Sequence, residues 1–345
     1  MGKLTGWENE IKKNDIVSVQ MNLLNMCTSH CQTCRKYLWP NVQLDVDTVK
    51  LTLKVLKERF GLSTIVFSGG DPMLYKNLSE VLEYCKEIDV KFSLITTLIT
   101  KNEDLLRYIA ENAYRIHVSV DSVDSDLYAK IRGVGSNALS IVKDNIKFIQ
   151  SIRIKNNMIP IRISSTMSKL NYNEPVFIYR FAKNTGCLLN FYKVHTWKEM
   201  EMNNVESNIF YKQMYKIAMD EKNNCKTITN SRAIIDSLFA YDTESAHCKK
   251  CYLPHINCTI DSNGDIYPCC KLLNDNGEYG EQTEFAYGNI IGKNKDEIEI
   301  EFNKRLSNTY PLDCSFCKNC ADRYNGLLSE LEIIKDTQMK KPLFL

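Results

Sequence analysis

The sequence predicts an α/β protein in which helices cover a parallel sheet. Between residues 16 and 195, β-like and helical segments alternate through six strands, which is the pattern of consecutive β/α units. Three cysteines, Cys27, Cys31 and Cys34, directly follow the first strand. In an open barrel or a doubly wound sheet, chemistry collects at the carboxyl ends of the strands. The strand pattern therefore predicts the fold class. It also predicts that the functional site lies at the carboxyl end of the first strand.

The individual elements follow from the spacing of apolar residues. The first helix has Val49, Leu53 and Leu56 at helical spacing, and Gly61 is its stop signal. The predicted strands cover residues 16–24, 63–68, 90–96, 115–120, 159–166 and 187–194. The predicted helices cover residues 45–60, 78–88, 104–112, 138–151 and 175–184.

Changes in composition divide the chain into four parts. Residues 1–15 form a polar extension, residues 16–195 the β/α core, and residues 196–246 a polar, partly helical connector. Residues 247–345 hold eight of the 14 cysteines and form a smaller cysteine-rich domain. With 345 residues, the chain is long enough for this arrangement.

Charge and composition restrict the partners. The net charge of +2 gives no bulk electrostatic reason to expect nucleic acid or an anionic membrane as a partner. The polar N-terminus is not a signal peptide, and no apolar run has the length of a membrane span. We therefore expect a cytoplasmic protein without a membrane partner. In such a protein, CxxC-type spacings favour metal or cluster binding over disulfides.

The loop after the first strand has the chemistry of an iron–sulfur site. Thiolates are the protein ligands of such clusters. Three of them, at Cys27, Cys31 and Cys34, can hold three irons of a [4Fe–4S] cube and leave the fourth iron open to a small molecule. The alternatives are half of a zinc site or three buried thiols. Zinc sites normally take four ligands from paired CxxC motifs, which this spacing fits poorly.

The motif Cys27-x3-Cys31-x2-Cys34 resembles that of radical S-adenosylmethionine (SAM) enzymes. Later motifs follow in the same order: Gly69-Gly70-Asp71-Pro72, then Ser119-Val120-Asp121, then Arg132-Gly133. The resemblance implies a partial (β/α)6 TIM-like barrel, a [4Fe–4S] cluster and SAM as cofactor. It also implies a flavodoxin- or ferredoxin-like electron donor. One electron would cleave SAM to methionine and a 5′-deoxyadenosyl radical, which removes a hydrogen atom from the substrate.

The resemblance also implies a set of SAM contacts. Backbone carbonyls of the Gly-Gly turn meet the amino group of SAM in the family, and the Ser-x-Asp … Arg-Gly segment lies near its ribose and carboxylate. Three departures concern the sequence around these contacts: Thr33 replaces an aromatic residue, Asp71 replaces a glutamate, and the fifth strand lacks a Gly-x-Ile-x-Gly-like motif. The residues implied in SAM binding are Gly69, Gly70, Asp71, Pro72, Thr96, Ser119, Asp121, Arg132 and Ser164.

The C-terminal cysteines resemble the auxiliary-cluster region called SPASM or, in its shorter form, twitch. Asn263-Gly264 is a hairpin turn signal between β-like residues 259–260 and 266–267. The resemblance implies an auxiliary [4Fe–4S] cluster on Cys251, Cys269, Cys314 and Cys317. The alternative is a zinc ribbon on Cys248, Cys251, Cys317 and Cys320. The remaining cysteines, Cys248, Cys258, Cys270 and Cys320, are either ligands of a second cluster or thiols without a ligand role.

Two residues are candidates for catalysis on the substrate side. His195 ends the sixth strand, where a polar residue in such a barrel is often functional, and it is a candidate acid or base. Cys187 opens that strand and is a candidate hydrogen-atom donor, although buried cysteines are usually structural.

The expected function is that of an oxidoreductase or dehydrogenase in which the auxiliary cluster accepts an electron from the substrate radical. Alternatives are a peptide-modifying maturase, an epimerase, an RNA-modifying radical SAM enzyme, or a scaffold without enzymatic activity. About fifteen residues precede the first predicted strand, too few for a leader-binding domain of about a hundred residues. This favours a small-molecule substrate or a peptide bound without that module.

Overall fold

The computed structural model describes residues 15–34, 40–194, 198–221, 227, 257–269 and 285–306. These residues divide into two compact units. The first unit takes residues 15–28, 40–95, 257–269 and 285–306, and the second takes residues 29–34, 96–194, 198–221 and 227. The predicted domain boundaries at 195/196 and 246/247 lie outside the described residues and stay predictions.

The order of elements along the chain confirms the predicted alternation of strands and helices. The strands are β1 (Ser18–Leu24), β2 (Thr64–Gly69), β3 (Lys91–Thr96), β4 (Arg115–Ser119), β5 (Arg162–Met167), β6 (Leu188–Lys193), β7 (Asn257–Ile260), β8 (Asp265–Tyr267) and β9 (Gly288–Asn289). The helices are α1 (Val46–Phe60), α2 (Leu78–Glu87), α3 (Glu103–Asn112), α4 (Ser125–Arg132), α5 (Ala138–Lys155), α6 (Pro175–Thr185), α7 (Asn204–Glu221) and α8 (Lys295–Asn303).

Strand β1 is central in the first unit. It pairs in parallel with β2 on one side, and β2 pairs in parallel with β3. On its other side β1 pairs in parallel with β7, so that the sheet continues into the C-terminal part of the chain. The predicted hairpin is confirmed, because β7 and β8 are antiparallel with Ile260 opposite Ile266. The pairing of β7 with β1 was not predicted.

Helix α1 buries the face that its apolar spacing predicts. Val49, Leu53 and Leu56 are fully buried. At its C-terminal end, the ring of Phe60 lies 5.7 Å from that of Phe302 on α8. Helix α8 therefore packs on α1 within the same unit, and its side chains Ile298 and Phe302 are fully buried.

The second unit contains β4, β5 and β6, which pair in parallel in that order. Ile116, Val118 and Ile163 are fully buried on one face of these strands. Helix α4 is an element that sequence analysis did not predict. It begins after Asp124, whose side chain accepts a hydrogen bond from Leu127 N, and it ends at Gly133 in the left-handed region. No helix in the described part of the chain is long and apolar enough to cross a membrane.

Candidate functional site

The three motif cysteines lie directly after β1. Cys27 belongs to the first unit and is half-buried; Cys31 and Cys34 belong to the second, where Cys31 is buried and Cys34 exposed. The backbone N–H of Cys34 donates to the carbonyl of Cys31 at 3.1 Å. Within the described residues, no three His, Cys, Asp or Glu side chains gather closely enough to hold a single metal ion. The thiolates of a cubane cluster bind different irons, so the donor chemistry of this loop suits a cluster.

The Gly-Gly turn after β2 packs against the segment that leads to Cys27. Gly70 N donates to the carbonyl of Leu24 at 2.7 Å, and Asp71 N donates to the carbonyl of Met26 at 2.8 Å. A Cβ atom on Gly70 would lie 1.9 Å from the carbonyl oxygen of Met26. Only glycine permits this approach. Asp71 is buried, and its carboxylate caps the short helix Pro72–Leu74 by accepting from Met73 N at 3.1 Å.

A buried polar network joins the same end of β1 to the hairpin. Asn22 donates through Nδ2 to Asp261 Oδ1 at 2.8 Å, and Ser262 Oγ donates to Asn25 Oδ1 at 2.8 Å. All four residues are at most 2% exposed. Sequence analysis missed Asn22 and Asn25. The sequence signal for these residues was an amide side chain at the end of an otherwise apolar strand, because a buried polar group needs a hydrogen-bond partner.

In the second unit, Asp121 is the centre of a hydrogen-bond network at the carboxyl ends of β4 and β5. Its Oδ2 atom accepts from Arg132 Nη1 at 2.8 Å, and its Oδ1 atom accepts from Thr166 N at 2.7 Å. Asn171 Nδ2 donates to the carbonyls of Asp121 and Thr166 at 2.7 and 3.0 Å. Both carboxylate oxygens of Asp121 are thus engaged by the protein. The described contacts give Asp121 a positioning role; its predicted contact with SAM stays a prediction.

The end of helix α4 holds the cysteine loop of the second unit. Gln32 N donates to the carbonyl of Ile131 at 2.8 Å, and a Cβ atom on Gly133 would lie 2.5 Å from the carbonyl oxygen of His30. The buried Arg132 guanidinium lies near Cys31. Burial opposes its charge, but the negative charges of Cys31 and Asp121 raise the pKa of Arg132 well above its ordinary value. A permanent positive charge therefore sits beside a predicted cluster ligand.

The other predicted SAM contacts lie at strand ends. Thr96 is buried at the end of β3, and its Oγ1 atom accepts from Leu98 N at 3.0 Å. Ser119 on β4 and Ser164 on β5 are register partners, and both are half-buried. The structure thus brings Ser119 and Ser164 together on one face of two neighbouring strands.

The two candidate catalytic residues have different outcomes. His195 lies outside the described residues. Cys187 lies at the amino end of β6, where its Sγ atom is 3.9 Å from the carbonyl oxygen of Thr185. Burial raises the pKa of Cys187 to about 11. This position, at the strand end opposite to that of Ser164 and Thr166, favours a packing role over hydrogen-atom donation.

Of the predicted auxiliary-cluster ligands, the structure describes Cys269. It follows β8 at the open end of the hairpin and is half-buried. Cys258 lies on β7 and is fully buried, and burial raises its pKa to about 12, which favours a packed thiol over a ligand. The other predicted or alternative ligands lie outside the described residues: Cys248, Cys251, Cys270, Cys314, Cys317 and Cys320.

Strand β4 also carries His117, which sequence analysis did not assign. Burial, followed by the nearby Arg162 and Arg115, lowers the pKa of His117 well below its ordinary value of 6.5. Below pH 6.5 the unfolded chain therefore takes up a proton that the folded chain does not, so the free energy of unfolding decreases as the pH is lowered.

Replacing His117 by glutamine is expected to remove about 1.4 kcal/mol of the stability that the protein loses when the pH is lowered from 7.5 to 5.5. Urea unfolding of both proteins across this range checks it; identical pH dependence would contradict it.

Residues 21–171 match the model of the Radical SAM superfamily. The chain contains a radical SAM domain. Its matched residues include the three motif cysteines, the Gly-Gly turn and the Asp121–Arg132 pair, so the predicted resemblance is confirmed for this part of the chain. The hydrogen bonds of Asp121 with Arg132 and of Gln32 with the end of α4 therefore lie within the radical SAM domain.

Two curated relatives show how far the similarity extends. A probable GTP 3′,8-cyclase from Methanocaldococcus jannaschii is 25% identical over 201 residues, which is 54% of this chain and 61% of the relative. An S-adenosylmethionine-dependent nucleotide dehydratase from Psychrobacter lutiphocae is 36% identical over 107 residues, 31% of this chain and 36% of the relative. The chain therefore spans less than two thirds of the length of either.

Solved structures extend the similarity in fold. SuiB from Streptococcus suis bound to S-adenosylmethionine is 14% identical with a TM-score of 0.59, and the alignment covers 79% of this chain and 66% of SuiB. A structure of anSMEcpe with bound AdoMet is 16% identical with a TM-score of 0.63, covering 85% and 79%. At this identity the similarity shows the fold alone. It confirms the predicted α/β class with a parallel sheet and helices.

Proposed function

We propose that this chain is a radical SAM enzyme that uses a [4Fe–4S] cluster on Cys27, Cys31 and Cys34 to cleave SAM reductively. The observation that carries the proposal is the support of the cysteine loop by helix α4. Gln32 N bonds to this helix end, and the buried Arg132 lies next to Cys31. Arg132 forms a buried ion pair with Asp121, and its positive charge beside Cys31 would stabilise an anionic, thiolate-ligated cluster.

When bound, the cluster supplies the electron that cleaves SAM and generates the hydrogen-abstracting radical. The protein's own residues do the rest. Gly70 brings the turn after the second strand against the Met26 carbonyl, and the resemblance implies that carbonyl groups of this turn would meet the amino group of SAM. Asp121 fixes Arg132, and Arg132 contributes positive charge beside Cys31. These groups position the cofactors before the reaction begins.

We further propose an oxidoreductase outcome, with an auxiliary cluster on Cys251, Cys269, Cys314 and Cys317 accepting the substrate electron. The hairpin from β7 to β8 supports this, because it carries Cys269 at its open end. A flavodoxin- or ferredoxin-like protein in the same compartment would supply the first electron. The soluble cytoplasm is the compartment proposed for both proteins.

A second candidate function is a radical SAM reaction without net oxidation, on a nucleotide. The names of the two curated relatives favour it, since one is a GTP cyclase and the other a nucleotide dehydratase. A peptide substrate draws support only from fold, because SuiB has been solved with the precursor peptide SuiA and anSMEcpe with the Cp18Cys peptide. RNA stays the weakest alternative at a net charge of +2.

Anaerobic reconstitution with iron and sulfide tests the cofactor assignments. We expect about eight irons per chain in the wild type, and about four in Cys269→Ala or in a Cys27/Cys31/Cys34→Ala variant. Addition of SAM should change the electron paramagnetic resonance spectrum of the reduced wild type and of Cys269→Ala, but not that of the triple variant. A reconstituted wild type that binds only zinc would refute the proposal. So would an electron paramagnetic resonance spectrum of the reduced wild type that does not change when SAM is added.

A further inference from the structure

We propose that Asn25 and Ser262 are positioning residues that close the base of the cysteine loop and so hold Cys27 in place. The inference deepens the proposed function, because it makes the C-terminal hairpin a control on the SAM-binding cluster. Its consequence for the cluster rests on that function. The contacts that carry it lie within the first unit.

Asn25 joins the two ends of the loop on which all three motif cysteines lie. Its backbone N–H donates to the carbonyl of Val42 at 2.9 Å, and its side-chain Nδ2 atom donates to the carbonyl of Pro40 at 3.3 Å. One residue separates Asn25 from Cys27, whereas Pro40 and Val42 follow the last motif cysteine in sequence. Asn25 therefore closes the loop through one backbone group and one side-chain group.

The orientation of the Asn25 amide is fixed by its partners. A backbone carbonyl can only accept a hydrogen bond, so the amide nitrogen faces Pro40 and the amide oxygen faces the other way. There Ser262 Oγ donates to Asn25 Oδ1 at 2.8 Å. Asn25 and Ser262 are each 1% exposed. Loss of the hydroxyl would leave a buried acceptor without this partner, which is more costly than the loss of an exposed hydrogen bond.

The position of Ser262 is itself fixed by the hairpin. The preceding residue, Asp261, accepts from Asn22 Nδ2 at 2.8 Å, and β7 pairs in parallel with β1. Ser262 and Asn25 are 237 positions apart in sequence. The C-terminal part of the chain thus reaches the base of the cysteine loop through a paired strand. Loss of this contact should loosen the loop although every motif cysteine is still present.

A loosened loop would affect a cluster more than it affects the fold. Groups around the ligands of a metal site orient those ligands, and their loss weakens metal binding without removing a ligand. Asn25 and Ser262 are buried and bind each other, so they act on the reaction through the loop and not by touching a substrate. We therefore expect the retention of iron to depend on this pair.

Hydrogen exchange of the apoprotein tests the closure without any cluster. Ser262→Ala should raise the exchange rate of the backbone amide of Asn25, which donates to Val42, about tenfold, because the base of the loop opens more often. Ser63→Ala is the matched control. Ser63 is exposed in the same unit, and its Oγ atom donates to the carbonyl of Val17 at 3.2 Å. This control should leave the exchange of the Asn25 amide unchanged.

Iron release to a chelator from the reconstituted protein tests the consequence for the cluster. The measurement is made in Cys269→Ala, so that the iron comes from the cluster on the motif cysteines. We expect release about tenfold faster when Ser262→Ala or Asn25→Ala is added. Ser262→Ala should cause no further increase in the presence of Asn25→Ala, because Ser262 acts through Asn25. Two independent structural effects would instead add.

The outcomes separate this inference from the proposed function. Faster exchange together with faster, non-additive iron release supports the inference. Unchanged exchange of the Asn25 amide in folded Ser262→Ala would overturn it, and so would faster exchange with unchanged iron release. If the wild type takes up no iron, the proposed function fails, and the exchange rates still decide whether the pair closes the loop. Thermal unfolding shows whether each variant is folded, and Asn25→Ala decides the question if Ser262→Ala does not fold.

Discussion

Replacing Gly70 by alanine is expected to prevent cluster assembly and to destabilise the protein by about 2–3 kcal/mol. The new methyl group would lie 1.9 Å from the carbonyl oxygen of Met26 and 2.5 Å from that of Asn25. Neither is a mobile side chain, so the backbone that leads to Cys27 has to move. The measurement is iron content after anaerobic reconstitution, together with urea unfolding of the apoprotein.

The matched control for this prediction is Gly135→Ala. Gly135 is exposed, and the closest atom to its added methyl group is the side-chain oxygen of Asn137 at 3.2 Å, which can rotate away. This variant should take up iron as the wild type does. Full iron uptake and unchanged stability in Gly70→Ala would contradict the close packing of the Gly-Gly turn against the segment that leads to Cys27.

The second large effect is expected for Asp121→Asn. The asparagine oxygen can still accept from Thr166 N, but the charge that compensates the buried Arg132 is lost. Breaking a buried ion pair by removing one partner costs about 3–5 kcal/mol. We therefore expect this loss in the free energy of unfolding of the apoprotein, measured in urea. Weaker support of the cysteine loop should also lower iron uptake, since α4 holds that loop.

Asp220→Asn is the control for Asp121→Asn, since it makes the same chemical change at an exposed carboxylate. Asp220 accepts from Tyr179 and Lys183 on α6, at the surface of the second unit. Exposed ion pairs contribute little to stability, so this variant should unfold close to the wild type. Equal stability of Asp121→Asn and Asp220→Asn would contradict the role given to the Asp121–Arg132 pair.

The strands and helices of the β/α core were predictable because each has a local signature. Alternating or apolar runs gave the strands, and apolar spacing gave α1 and α5. Helix α4 was missed because it is short and coincides with a motif that was interpreted for its chemistry. The hairpin was predicted from Asn263-Gly264, a local turn signal. Its pairing with β1 joins residues more than two hundred positions apart, and local periodicity carries no information on such a pairing.

The candidate site was predictable in its residues but not in its contacts. Cysteine spacing and the Gly-Gly turn identified Cys27, Cys31, Cys34 and Gly70. The ion pair between Asp121 and Arg132 forms only when α4 folds back toward the end of β4. Both residues were therefore predicted as site residues, but their contact with each other was not. Asn22 and Asn25 were overlooked since their partners lie in the distant hairpin.

Formation of 5′-deoxyadenosine tests the central claim most directly. Reconstituted protein, incubated anaerobically with SAM and dithionite, is compared with Cys31→Ala and with Cys85→Ala, in which a buried thiol of α2 outside the motif is removed. The proposed function predicts 5′-deoxyadenosine and methionine from the wild type and Cys85→Ala, and none above background from Cys31→Ala. Absence of 5′-deoxyadenosine from a wild type that holds its full iron, or equal formation by Cys31→Ala, would contradict the proposal.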